Sequence, residues 1–124
     1  MIFVSGGTAG FDDLMIKLDE LIKEKRIKVP IIAHIGKGKY KPKNCLYFRF
    51  AKDLSKFRER ADLIIGHGGI ATIVESITES KKYIGIANLN PDFPDAHQLE
   101  TLDFFEREGY IIHCKNLNRL LDSI

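Results

Sequence analysis

Two short segments place small residues directly ahead of stretches with helical spacing, and both could hold an anion. Gly6-Gly7-Thr8-Ala9-Gly10 follows an apolar triplet, and Gly66-His67-Gly68-Gly69 runs into Ile70-Ala71-Thr72-Ile73-Val74-Glu75. Glycine lets the main chain approach a ligand closely, and the unpaired amides and dipole of a helix start favour negative charge. The first segment lacks the Gly-Lys-Ser/Thr of a P-loop and the dinucleotide GxGxxG pattern, so it reads either as a phosphate cradle or as a tight turn. Glu75 lies about 140° around its helix from Ile70, off the apolar stripe. It is either a solvated glutamate or a carboxylate that takes two hydroxyls, as on a ribose diol. His97 and Gln98 belong to Pro94-Asp95-Ala96-His97-Gln98-Leu99-Glu100. There Asp95 can cap a helix, and the two polar side chains of the first turn suit a sugar or plain solvation.

Other groups narrow the chemistry. Lys37, Lys39, Lys41 and Lys43 alternate through a loop expected to be flexible. Such a loop could fold over a diphosphate, dock on an anionic lipid surface, or simply be solvated. His34, His67, His97 and His113 show no metal-ligand spacing, and no metal or other cofactor is expected. Cys45 and Cys114 form no CxxC pair and read as small buried apolar residues of a reduced, cytoplasmic protein. Nineteen basic and seventeen acidic residues leave a net charge of +2, which argues against a strongly basic nucleic-acid binder or an acidic disordered chain. No apolar run approaches the roughly 18–20 residues that cross a bilayer. Met1-Ile2-Phe3-Val4-Ser5 has neither the basic region nor the cleavage site of a signal peptide.

The elements that must position these groups alternate in type. Strands are expected at 2–4, 30–35, 45–50, 63–66, 83–87 and 110–112, the third with Leu46, Phe48 and Phe50 on one face. Helices are expected at 11–25, 52–60, 69–80, 95–108 and 116–122. Asp12 or Asp13 should cap the first, Ile70, Ile73 and Ile77 should face inward from the third, and Gly109 should end the fourth. Strands that alternate with helices and lack hairpin turns imply a doubly wound, mainly parallel sheet with helices on both faces. With 124 residues, 44% of them hydrophobic, residues 1–124 read as one domain. Ligands of such a fold sit outside the carboxyl ends of the strands, where the glycine-rich loops fall.

Taken together, Gly6-Gly7-Thr8, Ala61-Asp62-Leu63-Ile64-Ile65-Gly66-His67-Gly68-Gly69 continuing to Glu75, and His97-Gln98-Leu99-Glu100 resemble the C-terminal domain of glycosyltransferase family 28. The resemblance covers nearly the whole chain. It is closest to the short form that serves as small subunit of a two-subunit UDP-GlcNAc transferase of lipid-linked oligosaccharide or exopolysaccharide synthesis. It implies a Rossmann-like donor lobe, equivalent to the C-terminal lobe of a GT-B enzyme. It places uracil at Phe50 and Ala51, the ribose on Glu75, and the diphosphate at Gly7, Thr8 and the helix start Gly68-Gly69-Ile70. It places the sugar hydroxyls at His97 and Gln98. Two departures stand out. Ile70 and Thr72 are bulkier than the family's usual run, and residues 88–94 lack the basic residue often found there.

The implied activity is that of an inverting transferase moving a sugar, most commonly GlcNAc, from a UDP-sugar to a lipid-linked acceptor. The acceptor surface and general base are expected from a membrane-associated partner subunit that draws this chain to the cytoplasmic face of a membrane. Within the chain His67 is the one candidate base, but its glycine turn suits a phosphate contact or a structural hydrogen bond better. The alternative is a nucleotide-binding regulatory or scaffold module without turnover. A receiver-like signalling domain would need acidic residues where Ser5-Gly6-Gly7 stands.

Overall fold

The computed structural model describes residues 1–89 and 97–124. Six strands form one parallel sheet: β1 (Ile2–Ser5), β2 (Ile31–His34), β3 (Leu46–Phe48), β4 (Leu63–Gly66), β5 (Lys82–Gly85) and β6 (Ile112–His113), in the order β3-β2-β1-β4-β5-β6. This is the doubly wound order, with its reversal between β1 and β4. The helices are α1 (Asp12–Lys23), α2 (Ser55–Arg60), α3 (Ile70–Thr78), α4 (His97–Arg107) and α5 (Leu120–Ser123), the last preceded by a 3₁₀ turn at Leu117–Arg119.

The pleat of β1 divides the core in two. Ile2 and Val4 face one cluster, with Leu14, Leu18 and Leu21 of α1 and Leu120 of α5. Phe3 faces the other, with Phe57 of α2, Ile73 of α3 and Leu102 of α4. All four β1 residues are buried because a strand lies on either side and helices lie above and below. Its register sets Ser5 level with His34 of β2 and Gly66 of β4, so the loops after all three strands leave the sheet at one height.

Several boundaries differ from expectation. Helix α2 begins at Ser55 rather than Lys52, because Asp53 accepts from the Ser55 amide (2.9 Å) and hydroxyl (2.8 Å) and turns the chain there. On the edge strand β3 the anticipated alternation fails: Leu46 is 74% exposed and Phe50 57%. Phe48 is half-buried, stacking on Phe57 with centroids 4.5 Å apart. Ile70 is not inward but 60% exposed, because it opens α3 at the rim, while Ile73 one turn on is fully buried. The sixth strand is Ile112–His113 instead of 110–112. Gly109 does end α4, at φ +82°. The capping role given to Asp95, and most of the 88–94 loop, lie outside the described residues.

Candidate functional site

Glycines build the centre of the site by what they omit. Gly7 has φ +80°, and a Cβ there would meet the His67 ring, 2.5 Å from Nε2. A Cβ on Gly69 would also strike that imidazole. The half-buried His67 ring is thus wedged between the β1–α1 loop and the start of α3. Its carbonyl accepts the hydroxyl of Tyr83 at 2.7 Å. Tyr83 is 1% exposed, and burial pushes its phenol well above the ordinary value, so it stays a donor. A Cβ on Gly66 would strike that same hydroxyl, which fixes this position as glycine.

Gly68 lies under α4. A Cβ there would come within 2.7 Å of Gln98 Cβ. Gln98 is buried, and its Oε1 accepts from the Gly68 amide (3.1 Å) and the Asn88 amide (2.8 Å). Asn88 in turn donates its Nδ2 to the Gly10 carbonyl at 2.9 Å. Gln98 therefore ties α4 to the loops after β4 and β5. His97 stands on the exposed side of the same turn, its Nδ1 3.6 Å from Glu100.

These bonds bring Gly7, Gly68, Gly69, His67 and Gln98 together at the carboxyl edge of the sheet, with exposed Thr8 beside them. Helix α3 opens there with no side-chain cap and no acidic residue in its first turn, which leaves its positive dipole end open to an anion. The Gly68 amide is already spent on Gln98, so any anion would meet the helix at Gly69 and beyond.

The lysine loop is not the loose arm its composition suggests. Asp12 does not cap α1. It accepts from the amides of Lys39 (3.0 Å) and Tyr40 (3.1 Å). Asp19, 4% exposed, accepts from the Tyr40 hydroxyl, the Lys43 amide (2.9 Å), and the Asn44 amide (2.8 Å) and side chain (2.9 Å). Burial alone would raise the Asp19 pKa, but these hydrogen bonds outweigh it and the net shift is downward. Cys45 nearby is half-buried, and burial together with the Asp19 charge pushes its thiol up to about 11, which makes it inert. Arg49 Nη1 donates to the carbonyls of Gly36 (3.1 Å) and Gly38 (2.8 Å), and the Lys37 amide bonds Thr8 at 2.9 Å. The loop becomes a fixed wall beside Thr8.

Phe50 and Ala51, both exposed, follow β3. The Phe50 ring meets His34 edge-on at 6.4 Å, and His34 reaches Ser5 at 3.3 Å. Burial lowers the His34 pKa, only partly offset by a backbone hydrogen bond at Arg49, and so favours a neutral ring. Glu75, on α3, is half-exposed and pairs with Arg58 Nη1 at 3.0 Å. Arg58 is 7% exposed and also forks onto Glu79 through Nε (3.1 and 3.3 Å) and Nη2 (3.0 Å). Sequence reading missed Arg58, His34, Tyr83 and Asn88 as supports of the site. Glu75 on α3 and Glu79 just past its end stand four residues apart, a like-charge spacing that a nearby cation relieves. Among the described residues no group of three or more His, Cys, Asp or Glu could hold a metal ion, and no helix is long and apolar enough to cross a membrane.

The family model for the glycosyltransferase family 28 C-terminal domain matches residues 1–121. The chain belongs to this family. A human relative named UDP-N-acetylglucosamine transferase subunit ALG13 is 27% identical over 124 residues, which covers 91% of this chain and 11% of that protein. In Pelagibacter ubique the UDP-N-acetylglucosamine–N-acetylmuramyl-(pentapeptide) pyrophosphoryl-undecaprenol N-acetylglucosamine transferase is 30% identical, covering 88% of this chain and 33% of that one. This family 28 domain therefore spans about a tenth to a third of the length of these relatives. Among solved structures, MurG of Acinetobacter baumannii superposes with a TM-score of 0.73 at 23% identity, over 98% of this chain and 39% of that one. The solution structure of ALG13 superposes with a TM-score of 0.63 at 22% identity, over 98% and 81%. The Rossmann-like fold of a GT-B C-terminal domain, expected from the sequence, is the fold found.

Proposed function

We propose that this chain is the donor-binding part of an inverting glycosyltransferase that moves GlcNAc from its UDP-sugar to a lipid-linked acceptor. The observation that carries the reading is the uncapped start of α3, set against Gly7 across the His67 ring. A nucleoside diphosphate placed there lies over backbone amides, and the same contacts stabilise the charge that builds on departing UDP. Uracil rests against Phe50 and the main chain at Ala51. Glu75 takes the ribose hydroxyls. Thr8, Gly69 and Ile70 hold the diphosphate, with His67 alongside. His97, on the exposed face of α4, reaches the sugar, and Gln98 holds the loop that shapes its pocket. The acceptor hydroxyl attacks the anomeric carbon as the bond to UDP breaks, with inversion there. Its proton goes to a base on a membrane-associated partner subunit that also supplies the acceptor surface and recruits this chain to the cytoplasmic face.

The names of the relatives supply the support for the sugar and the acceptor class. Calorimetric titration of the purified chain with UDP, ADP and GDP tests the donor part. Selective binding of UDP is the expected outcome, and no binding to any of the three overturns it. Glu75→Ala should then weaken UDP binding by about 1.5–3 kcal/mol. Sugar transfer to a lipid-linked acceptor once the partner is added separates a transferase subunit from a module that binds UDP without turnover.

A further inference from the structure

Glu75 is a half-exposed glutamate in mid-helix, a kind of side chain that ordinarily samples several rotamers. Here it does not stand alone. Arg58 reaches it from α2, and Arg58 is itself fixed, being 7% exposed and forked onto Glu79 by three contacts of 3.0–3.3 Å. The guanidinium offers five N–H donors in one plane. Nε and Nη2 donate to Glu79, and Nη1 stands 3.0 Å from Glu75 Oε2 as an ion pair. A carboxylate has about four lone-pair positions, so this contact leaves Oε1 and part of Oε2 for a ligand's hydroxyls. The charge matters as well. Glu75 and Glu79 are one turn apart, and without a cation between them they would repel each other and any approaching diphosphate. Helix α2 follows the Phe50–Ala51 segment in the chain, with the Asp53–Ser55 turn between them. Arg58 thus links α2 to the residue proposed to meet the ribose.

We propose that Arg58 is a positioning residue that presets the Glu75 carboxylate for a vicinal diol, with Glu79 as its anchor. The inference rests on the reading of Glu75 as the ribose ligand. Calorimetry with UDP and 2′,3′-dideoxy-UDP on the full chain tests both and tells them apart. The unaltered chain should prefer UDP by about tenfold or more, the worth of hydrogen bonds to a charged group. Arg58→Lys keeps the charge but loses the fork. It should weaken UDP binding about two- to tenfold, the cost of freezing one long side chain on binding, and leave the dideoxy ligand unchanged. Glu79→Gln, at a side chain 34% exposed, should act in the same direction with a smaller effect, and it decides the matter if the lysine variant folds poorly. In a Glu75→Gln background Arg58→Lys should add nothing to the preference. Variants that keep the full preference, or that lose both ligands equally, overturn the positioning role alone. An unaltered chain without a preference for UDP overturns the Glu75 reading and this inference with it.

Discussion

Two loops flank the proposed diphosphate position, and they are held in opposite ways. Residues 36–44 after β2 are held by charge: Asp12 and Asp19 gather amide and hydroxyl donors from a segment with four lysines. Residues 66–69 after β4 are held by shape: three glycines admit the Tyr83 hydroxyl, the His67 ring and the Gln98 stem where any Cβ would collide. A loop held by a buried carboxylate uses its own amides to satisfy that carboxylate, so its lysine side chains face outward and its backbone becomes a wall. In the loop held by close packing the His67 and Gly68 amides go to Ser5 and Gln98, so a ligand would meet it at Gly69 and the helix start behind. The difference favours the glycine loop over the lysines as the proposed anion site.

The comparison can be broken most directly at Asp19. Asp19→Ala should destabilise the chain by about 3 kcal/mol, because it strips hydrogen bonds to a charged group and strands buried donors. A shift in the denaturant midpoint at unchanged slope measures it. Gly68→Ala should cost about 1–3 kcal/mol through overpacking against Gln98, and UDP affinity should fall with it as the start of α3 is displaced. Acid should divide the two loops. The folded pKa of Asp19 lies below its ordinary 3.8, so its contribution is fully present above that value and is lost as pH falls through the folded pKa. Hydrogen exchange should then show the Lys43 and Asn44 amides losing protection at acid pH before the Gly68 amide, whose acceptor is the neutral Gln98. The smallest effect is expected at Lys39→Ala, within about 0.5 kcal/mol in stability, since that side chain is exposed. A loss of UDP binding in this variant would return the lysines to the site.

The sequence carried the sheet and the glycine loops because both depend on local pattern. Ile2 to Ser5 and Leu63 to Gly66 are apolar runs too short for helices, and each stands before glycines. It did not carry the pairing of Asp12 with Lys39 and Tyr40, or of Arg58 with Glu75, because these join residues far apart in the chain. Asp12 looked like a cap because aspartate beside a helix start usually is one. Ile70 looked like core because its spacing matches Ile73, but the first residue of a helix at a sheet edge has nothing above it to pack on. The burial of Gln98 and its bonds to two backbone amides emerged only with the fold, since both amides come from loops earlier in the chain.

The place of β1 between β2 and β4 has a consequence for biosynthesis. Ile2 must pair with Ile31 on one side and Leu63 on the other, so the strand made first waits for a partner made much later. Until Leu63 to Gly66 are made, β1 has an unpaired edge, and its Phe3 face has its ring partners Phe48 and Phe57 but not Ile73 or Leu102. The central strand is therefore paired on both edges only once residues 63–66 have been made.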